Sequence, residues 1–205
     1  MKKTILALGC ALAIIAGTNY SNAQVEEGSL VIDPYYGFPN FGERLASSIT
    51  SENIDDLDVA GFGPAGIRLE YMVADKFGVG LDFIYNSVSV RTQIDSVSNG
   101  SVVETYDLDS YARRFRMHLR LNYHFINEDN FDAYVGVGGG TNTRSFGYNT
   151  DYPNYEEGDS GTGALIPFSM RFALGSRYYF TDNIGLNLEI GIGGPVVSGG
   201  ISFKF

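Results

Sequence analysis

Residues Arg114–Phe125 read RFRMHLRLNYHF. Arg114, Arg116, His118, Arg120, Asn122 and His124 occupy the even positions, and Phe115, Met117, Leu119, Leu121, Tyr123 and Phe125 the odd ones. On a helix, side chains advance by about 100° per residue, which scatters the three arginines around the circumference. On a strand the period is two, and all six polar groups share one face. The stretch is therefore a strand with one very apolar and one strongly cationic face. A soluble sheet and a membrane-crossing sheet both carry this pattern, so the rest of the chain must say which face is inside.

The two ends narrow the choice. The chain starts MKKTILALGCALAIIAGTNYSNAQ: basic Lys2 and Lys3, an apolar run from Ile5 to Ala16, then small Ser21 and Ala23 before Gln24. This reads as a secretory signal peptide over 1–23, cleaved between Ala23 and Gln24. The apolar run is too short for a membrane anchor. Cys10 follows LALG, but cleavage there as a lipoprotein leaves too short a signal. The mature chain, 24–205, then holds no cysteine and needs no disulfide. The final residues, VVSGGISFKF, alternate Ile201, Phe203 and Phe205 with Gly200, Ser202 and Lys204. This resembles the C-terminal signal of bacterial outer-membrane barrels, which the barrel-assembly machinery reads.

Turn signals divide the mature chain into eight strands of one domain. They are expected at Ser29–Phe38, a second closing with Gly66–Val73, Phe77–Val90, a fourth ending at Ile126, Phe131 to about Phe146, Ala164–Phe180, Ile184–Gly193 and Val196–Phe205. Short turns at Ala74–Lys76, Asn127–Asn130 and Thr181–Asn183 alternate with expected loops at Pro39–Val59, Arg91–Ser110 and Gly147–Gly163 and a short connection at Gly194-Pro195. After the signal, no run of 18 apolar residues exists for a transmembrane helix. Short turns at one end and longer loops at the other match a transmembrane barrel.

Aromatic residues beside the short turns form a girdle: Tyr71, Phe77, Tyr123, Phe125, Phe131, Tyr178 and Phe180, with Phe203 and Phe205 at the same level. One register is apolar throughout, with Ile67, Leu69, Val79, Leu81, Phe83, Val135, Val137, Phe168, Met170, Phe172, Leu174, Leu186, Leu188, Ile190 and Ile192. The opposite register carries Arg68, Glu70, Asp82, Arg171 and Glu189 among small glycines, as a narrow lumen requires. An arginine facing lipid at the midplane costs about 2–4 kcal/mol, so three in one strand cost roughly 6–12 kcal/mol. That rivals the stability of a whole domain. Arg114, Arg116 and Arg120 must therefore face the lumen, where Glu70, Asp82 and Glu189 are expected to join them in an ion-pair network.

On these residues the chain resembles the small eight-stranded outer-membrane barrels of the OmpA/OmpX type. The resemblance covers essentially the whole mature chain and implies an all-β, antiparallel up-and-down transmembrane barrel. It implies residence in the bacterial outer membrane, contact with its lipid and lipopolysaccharide, and periplasmic chaperones and the barrel-assembly machinery as partners in biogenesis. Unlike full-length OmpA-type proteins, no peptidoglycan-binding domain follows Phe205. A lipocalin-like soluble barrel also has eight strands, but its ligand-holding interior is apolar, unlike this register.

Other motifs point to no cofactor. GFGPAG (Gly61, Gly63, Gly66) matches G-x-G-x-x-G, but the succeeding IRLEYMV reads as a strand rather than the helix a dinucleotide site needs. The motif is read as a loop entering the second strand. His118 and His124, the two histidines, are spaced too far along one strand for simple chelation. No histidine lies in a long loop, which disfavours an outer-rim hydrolase. The three expected long loops hold thirteen acids against Arg44 and Arg91, a net charge of −11. That argues against nucleic acid as a partner. It fits a solvated surface; Asp55, Asp56 and Asp58 form a weak cation-binding candidate. The expected function is a structural or surface-interaction barrel with a side-chain-filled lumen. The alternative is a narrow channel for small solutes or ions. No extracellular partner can be named from the sequence.

Overall fold

A computed structural model describes residues 25–50, 58–98, 101–151 and 167–205. The signal peptide and its cleavage site at Ala23 and Gln24 lie outside the described residues. Eight strands form a closed antiparallel barrel in chain order, β1 pairing with β8 to shut it. They are β1 (Leu30–Phe38), β2 (Asp58–Ala74), β3 (Phe77–Ser98), β4 (Ser101–Asn127), β5 (Phe131–Thr150), β6 (Phe168–Tyr179), β7 (Ile184–Ile192) and β8 (Val197–Lys204). One helix, α1 (Phe41–Thr50), follows β1.

Alternation decides the two faces. Along β6, Phe168, Met170, Phe172, Leu174 and Tyr178 are exposed, while Ser169, Arg171, Ala173, Arg177 and Tyr179 are buried. Along β7, Leu186, Leu188, Ile190 and Ile192 point out, and Asn187 and Glu189 point in. The barrel is inside out relative to a water-soluble one: its large apolar residues form the outer surface. Among the described residues, no helix is long and apolar enough to cross a membrane.

Two aromatic belts bound this surface. One lies at the short turns, with Tyr71, Phe77, Tyr123, Phe125, Phe131, Tyr178, Phe180 and Phe205 exposed. Phe77 and Tyr123 touch across β3 and β4, with centroids 5.2 Å apart. The other, at the far end, joins Phe38, Tyr36, Phe62 and Tyr85 through centroid spacings of 5.6, 5.9 and 6.2 Å. Phe115 and Phe168 continue it. From Phe77 to Tyr85 on β3 is roughly 26 Å along the strand at 3.3 Å per residue, and about 20 Å once tilted by 40°, close to the apolar band of a membrane barrel.

Several boundaries differ from the sequence expectation. The supposed loop Arg91–Ser110 is ladder: β3 and β4 stay paired from Arg91↔Asp109 to Ser98↔Ser101. Acids, hydroxyl residues and Gln93 interrupt the few apolar residues there, so the alternation that announces a strand is weak, yet the backbone pairs as a two-stranded ribbon. β5 likewise runs on to Thr150 against Leu108. The expected loop Pro39–Val59 contains α1, whose Phe41 and Leu45 recur at helical spacing. GFGPAG lies inside β2, where the register shifts between Phe62 and Ala65, and Gly63 has φ of 81°. β6 begins at Phe168; residues 164–166, expected to open it, lie outside the described residues.

At the short-turn end, the chain before β1 tucks into the barrel mouth. Asn127 Nδ2 donates to the Val25 carbonyl at 2.6 Å, and the Val25 amide donates to Asn127 Oδ1 at 3.1 Å. Val25, Val31, Met72 and Tyr179 form a small buried apolar cluster there.

Candidate functional site

The inward register places charged side chains in two tiers. In the tier nearer the short turns, Arg177 of β6 reaches Asp33 of β1 at 2.9 Å, Glu70 of β2 at 2.5 Å and Asp132 of β5 at 2.9 Å. His124 of β4 lies between Asp132 (2.6 Å at Nδ1) and Glu70 (3.0 Å at Nε2). Only a ring protonated on both nitrogens donates to both carboxylates. Asn122 donates to Glu70 at 2.6 Å, and the Ser202 hydroxyl donates to Asp33.

The second tier centres on Glu189 of β7. Arg68 approaches it at 2.6 Å and Arg120 at 2.8 Å; Arg171 pairs with its other oxygen. The Tyr134 hydroxyl donates to it at 3.0 Å. Asp82 of β3 takes Arg120 at 3.3 Å, Arg171 at 3.4 Å and the Tyr35 hydroxyl at 2.6 Å. Tyr134 joins the tiers, its ring centroid 4.5 Å from the Arg177 guanidinium. Four arginines and His124 thus face five carboxylates across the barrel, and the charges balance once the ring is protonated. Each of these ten residues is 3% exposed or less.

Glycine provides the room. Arg120 sits between Gly80 of β3 and Gly138 of β5. A Cβ at Gly175 collides with the Tyr134 ring, and one at Gly78 with the Glu70 carboxylate. These strands hold large polar groups inside only because their neighbours are minimal.

Six of the residues proposed from sequence meet here: Arg68, Glu70, Asp82, Arg120, Arg171 and Glu189. Arg114 and Arg116 do not join them. Arg114 Nε donates to Asn142 Oδ1 at 2.7 Å, and Arg116 Nη1 to the Gly193 carbonyl at 2.7 Å. The cause is register. Opposite Arg114 stand Asn86 and Arg144, and opposite Arg116 stand Ile84 and Asn142. None of the residues paired with them across β3 and β5 is a carboxylate.

Asp33, Asp132, Arg177, Tyr35 and Tyr134 complete the network beyond the residues expected from sequence. Parity would have found several: Asp33 alternates with Val31 and Tyr35 on β1, and Arg177 lies two residues beyond Gly175. His118 is fully buried on the same face, and neither ring nitrogen has a hydrogen-bond partner. Among the described residues, no group of three His, Cys, Asp or Glu is placed to hold a metal.

Ile201 and Phe205 point outward, Phe203 is partly covered, and Ser202 and Lys204 point inward. Phe205 and Leu30 exchange backbone hydrogen bonds of 2.9 Å at the closing seam. Of the loop acids, Asp58, Glu104, Asp107 and Asp151 are exposed. Glu52, Asp55, Asp56, Glu156, Glu157 and Asp159 lie outside the described residues, and with them most of the cation-binding candidate.

The family model described as "Outer membrane protein beta-barrel domain" matches residues 8–195. No curated protein matches the chain. Among solved structures, it is similar to the N-terminal β-barrel domain of Pseudomonas aeruginosa OprF, at 14% identity over 88% of this chain and 100% of that one, with a TM-score of 0.43. It is also similar to OprG from the same organism, at 14% identity, 90% and 99% coverage and a TM-score of 0.44. A third is Ail, the attachment invasion locus protein of Yersinia pestis, at 12% identity, 87% and 99% coverage and a TM-score of 0.39.

Proposed function

The chain belongs to the outer-membrane β-barrel family, and from that premise we propose that it is a non-enzymatic structural and surface-interaction barrel with a closed lumen. Its place is the bacterial outer membrane. The observation that carries the reading is the pair of tiers around Glu189 and Arg177, whose arginines and carboxylates reach one another from opposite walls. An ion crossing the barrel must break several buried ion pairs. Each break leaves an uncompensated charge in a low-dielectric interior, at a cost of about 3–5 kcal/mol. Charge balance within the tiers removes the electrostatic attraction that an ion-selective pore offers. The apolar cluster at Val25 adds a second barrier at the short-turn end.

In this reading the outer wall meets lipid and lipopolysaccharide. Ile201, Phe203 and Phe205 present the assembly signal to the barrel-assembly machinery after passage with periplasmic chaperones. The paired β3–β4 ribbon, with exposed Glu104 and Asp107, forms an acidic outer surface for contact with the environment.

Single-channel recording of the refolded protein in a planar bilayer tests the closed lumen. A heat-dependent gel shift verifies that the barrel is folded. We expect a silent bilayer from the unaltered chain and current steps once Arg171 and Glu189 are both replaced by glycine. Discrete steps from the unaltered chain overturn the closed-lumen reading.

A further inference from the structure

Above the second tier, at the end away from the short turns, lies a cavity of about 310 Å³, near the small end of the ligand-site range. Arg113, Arg114, Arg116 and Arg144 line it from β4 and β5, and Phe41 and Gly42 of α1 cover part of it. Among the described residues, no carboxylate lines it.

The arginines are poorly satisfied. Arg114 and Arg144 stand directly opposite each other in the β4–β5 register, an arrangement of like charges that destabilises a sheet. Arg116 is 5% exposed, and its Nε has no partner. The Nε of Arg144 is also buried without a partner. Arg114 is oriented by Asn142 through Nε, which leaves its two terminal amino groups for another acceptor. Arg116 is held by the Gly193 carbonyl; Gly193 has φ of 86°, a conformation that favours glycine. Arg114 and Arg116 are thus fixed in place by neutral partners. The first turn of α1 reaches the same space through Phe41 and Gly42, and its Glu43 offsets the positive end of the helix dipole.

We propose that this cavity binds a small tetrahedral oxyanion, a phosphate or sulfate or one of their monoesters, taken from solution on the outer side. Guanidinium forks match such oxygens in pairs, and an anion between Arg114 and Arg144 turns their repulsion into two attractions. The acidic ribbon does not prevent this. Asp109 lies five residues along β4 from Arg114, roughly 17 Å at 3.3 Å per residue. That is about twice the 8 Å screening length at physiological salt. The occupant is a solute rather than a headgroup, because Arg114, Arg116 and Arg144 stand on the inward register, and of the four lining arginines Arg113 alone is exposed on the outward one.

Isothermal titration calorimetry of the detergent-folded protein with inorganic phosphate, at constant ionic strength, tests the site. We expect saturable binding that weakens at least tenfold in the double variant Arg114→Gln, Arg144→Gln. Arg91→Gln, which alters an exposed arginine on the ribbon, leaves it unchanged. Both variants are first checked for the heat-dependent gel shift. Because loss of the arginine pair removes a repulsion, the double variant is expected to fold. Absence of saturable heat overturns the proposal, as does equal affinity in the double variant or equal competition by chloride. Bicelles carrying an anionic phospholipid separate the two phosphate sources. Undiminished phosphate binding supports a free solute, and competition by the lipid overturns that assignment in favour of a headgroup.

Discussion

The ionised residues inside the barrel differ in consequence, and their partners say by how much. Glu189 receives three guanidiniums and the Tyr134 hydroxyl while fully buried. Glu189→Gln removes the carboxylate that three cations share, leaving Asp82 to Arg120 and Arg171 and Asp33 opposite Arg68, so it is expected to cost about 3–5 kcal/mol. Urea unfolding of the folded barrel in detergent measures it. The pair Arg91–Asp109, 3.7 Å apart, with Arg91 exposed and Asp109 partly covered, offers the contrast: Arg91→Gln changes stability by about 0–1 kcal/mol in the same assay. A loss below about 1 kcal/mol for Glu189→Gln means the tier does not hold the walls together. At this scale the sequence was partly legible. Alternation puts Arg120 and Arg171 inside, but it cannot say which inward arginine meets an acid. That depends on register between strands far apart in sequence: Arg177 and Asp33 are 144 residues apart. Arg114 and Arg116 share the parity of Arg120 and differ only in height.

Strands are legible where one face is continuously apolar and fade where polar residues interrupt it. The β3–β4 ribbon carries an Asn99-Gly100 pair, the strongest short hairpin signal, but its acids and hydroxyl residues read as loop. The distinction separates what the membrane stabilises from what backbone pairing alone sustains. Leu188 of β7 is exposed on the apolar face, so Leu188→Arg is expected to cost about 2–4 kcal/mol in a bilayer. Replacing residues 93–107 of the ribbon by an Asn-Gly turn removes far more chain but lies beyond the Tyr85–Phe115 belt. It is expected to preserve the gel shift and to cost less than Leu188→Arg in denaturant titration. A truncated ribbon that no longer folds means the outer sheet nucleates the barrel rather than decorating it. Helix α1 escaped the sequence reading for a different reason: ten residues with few apolar anchors give a weak periodic signal.

The whole molecule was the most legible scale, because barrel closure rests on facts repeated on every strand: eight alternating runs, rings at a fixed height and turns of two lengths. Direction across the membrane rests on the same asymmetry and yields a sharp test. Beyond the signal region the chain has two lysines, Lys76 and Lys204. Lys76 is exposed in the β2–β3 turn, while Lys204 is buried at the end of β8 on the same side. The long ribbon and α1 lie at the opposite end and contain no lysine. Short turns of such barrels face the periplasm. A membrane-impermeant amine reagent applied to intact cells is therefore expected to leave Lys76 unmodified and to label it once the outer membrane is permeabilised, as read by mass spectrometry of the tryptic peptide. Lys204, inside the wall beside Tyr179, is expected to react far more slowly in both conditions. Labelling of Lys76 on intact cells places the short turns outside. The arginine-lined cavity then opens towards the periplasm, and its anion comes from there instead of from the medium.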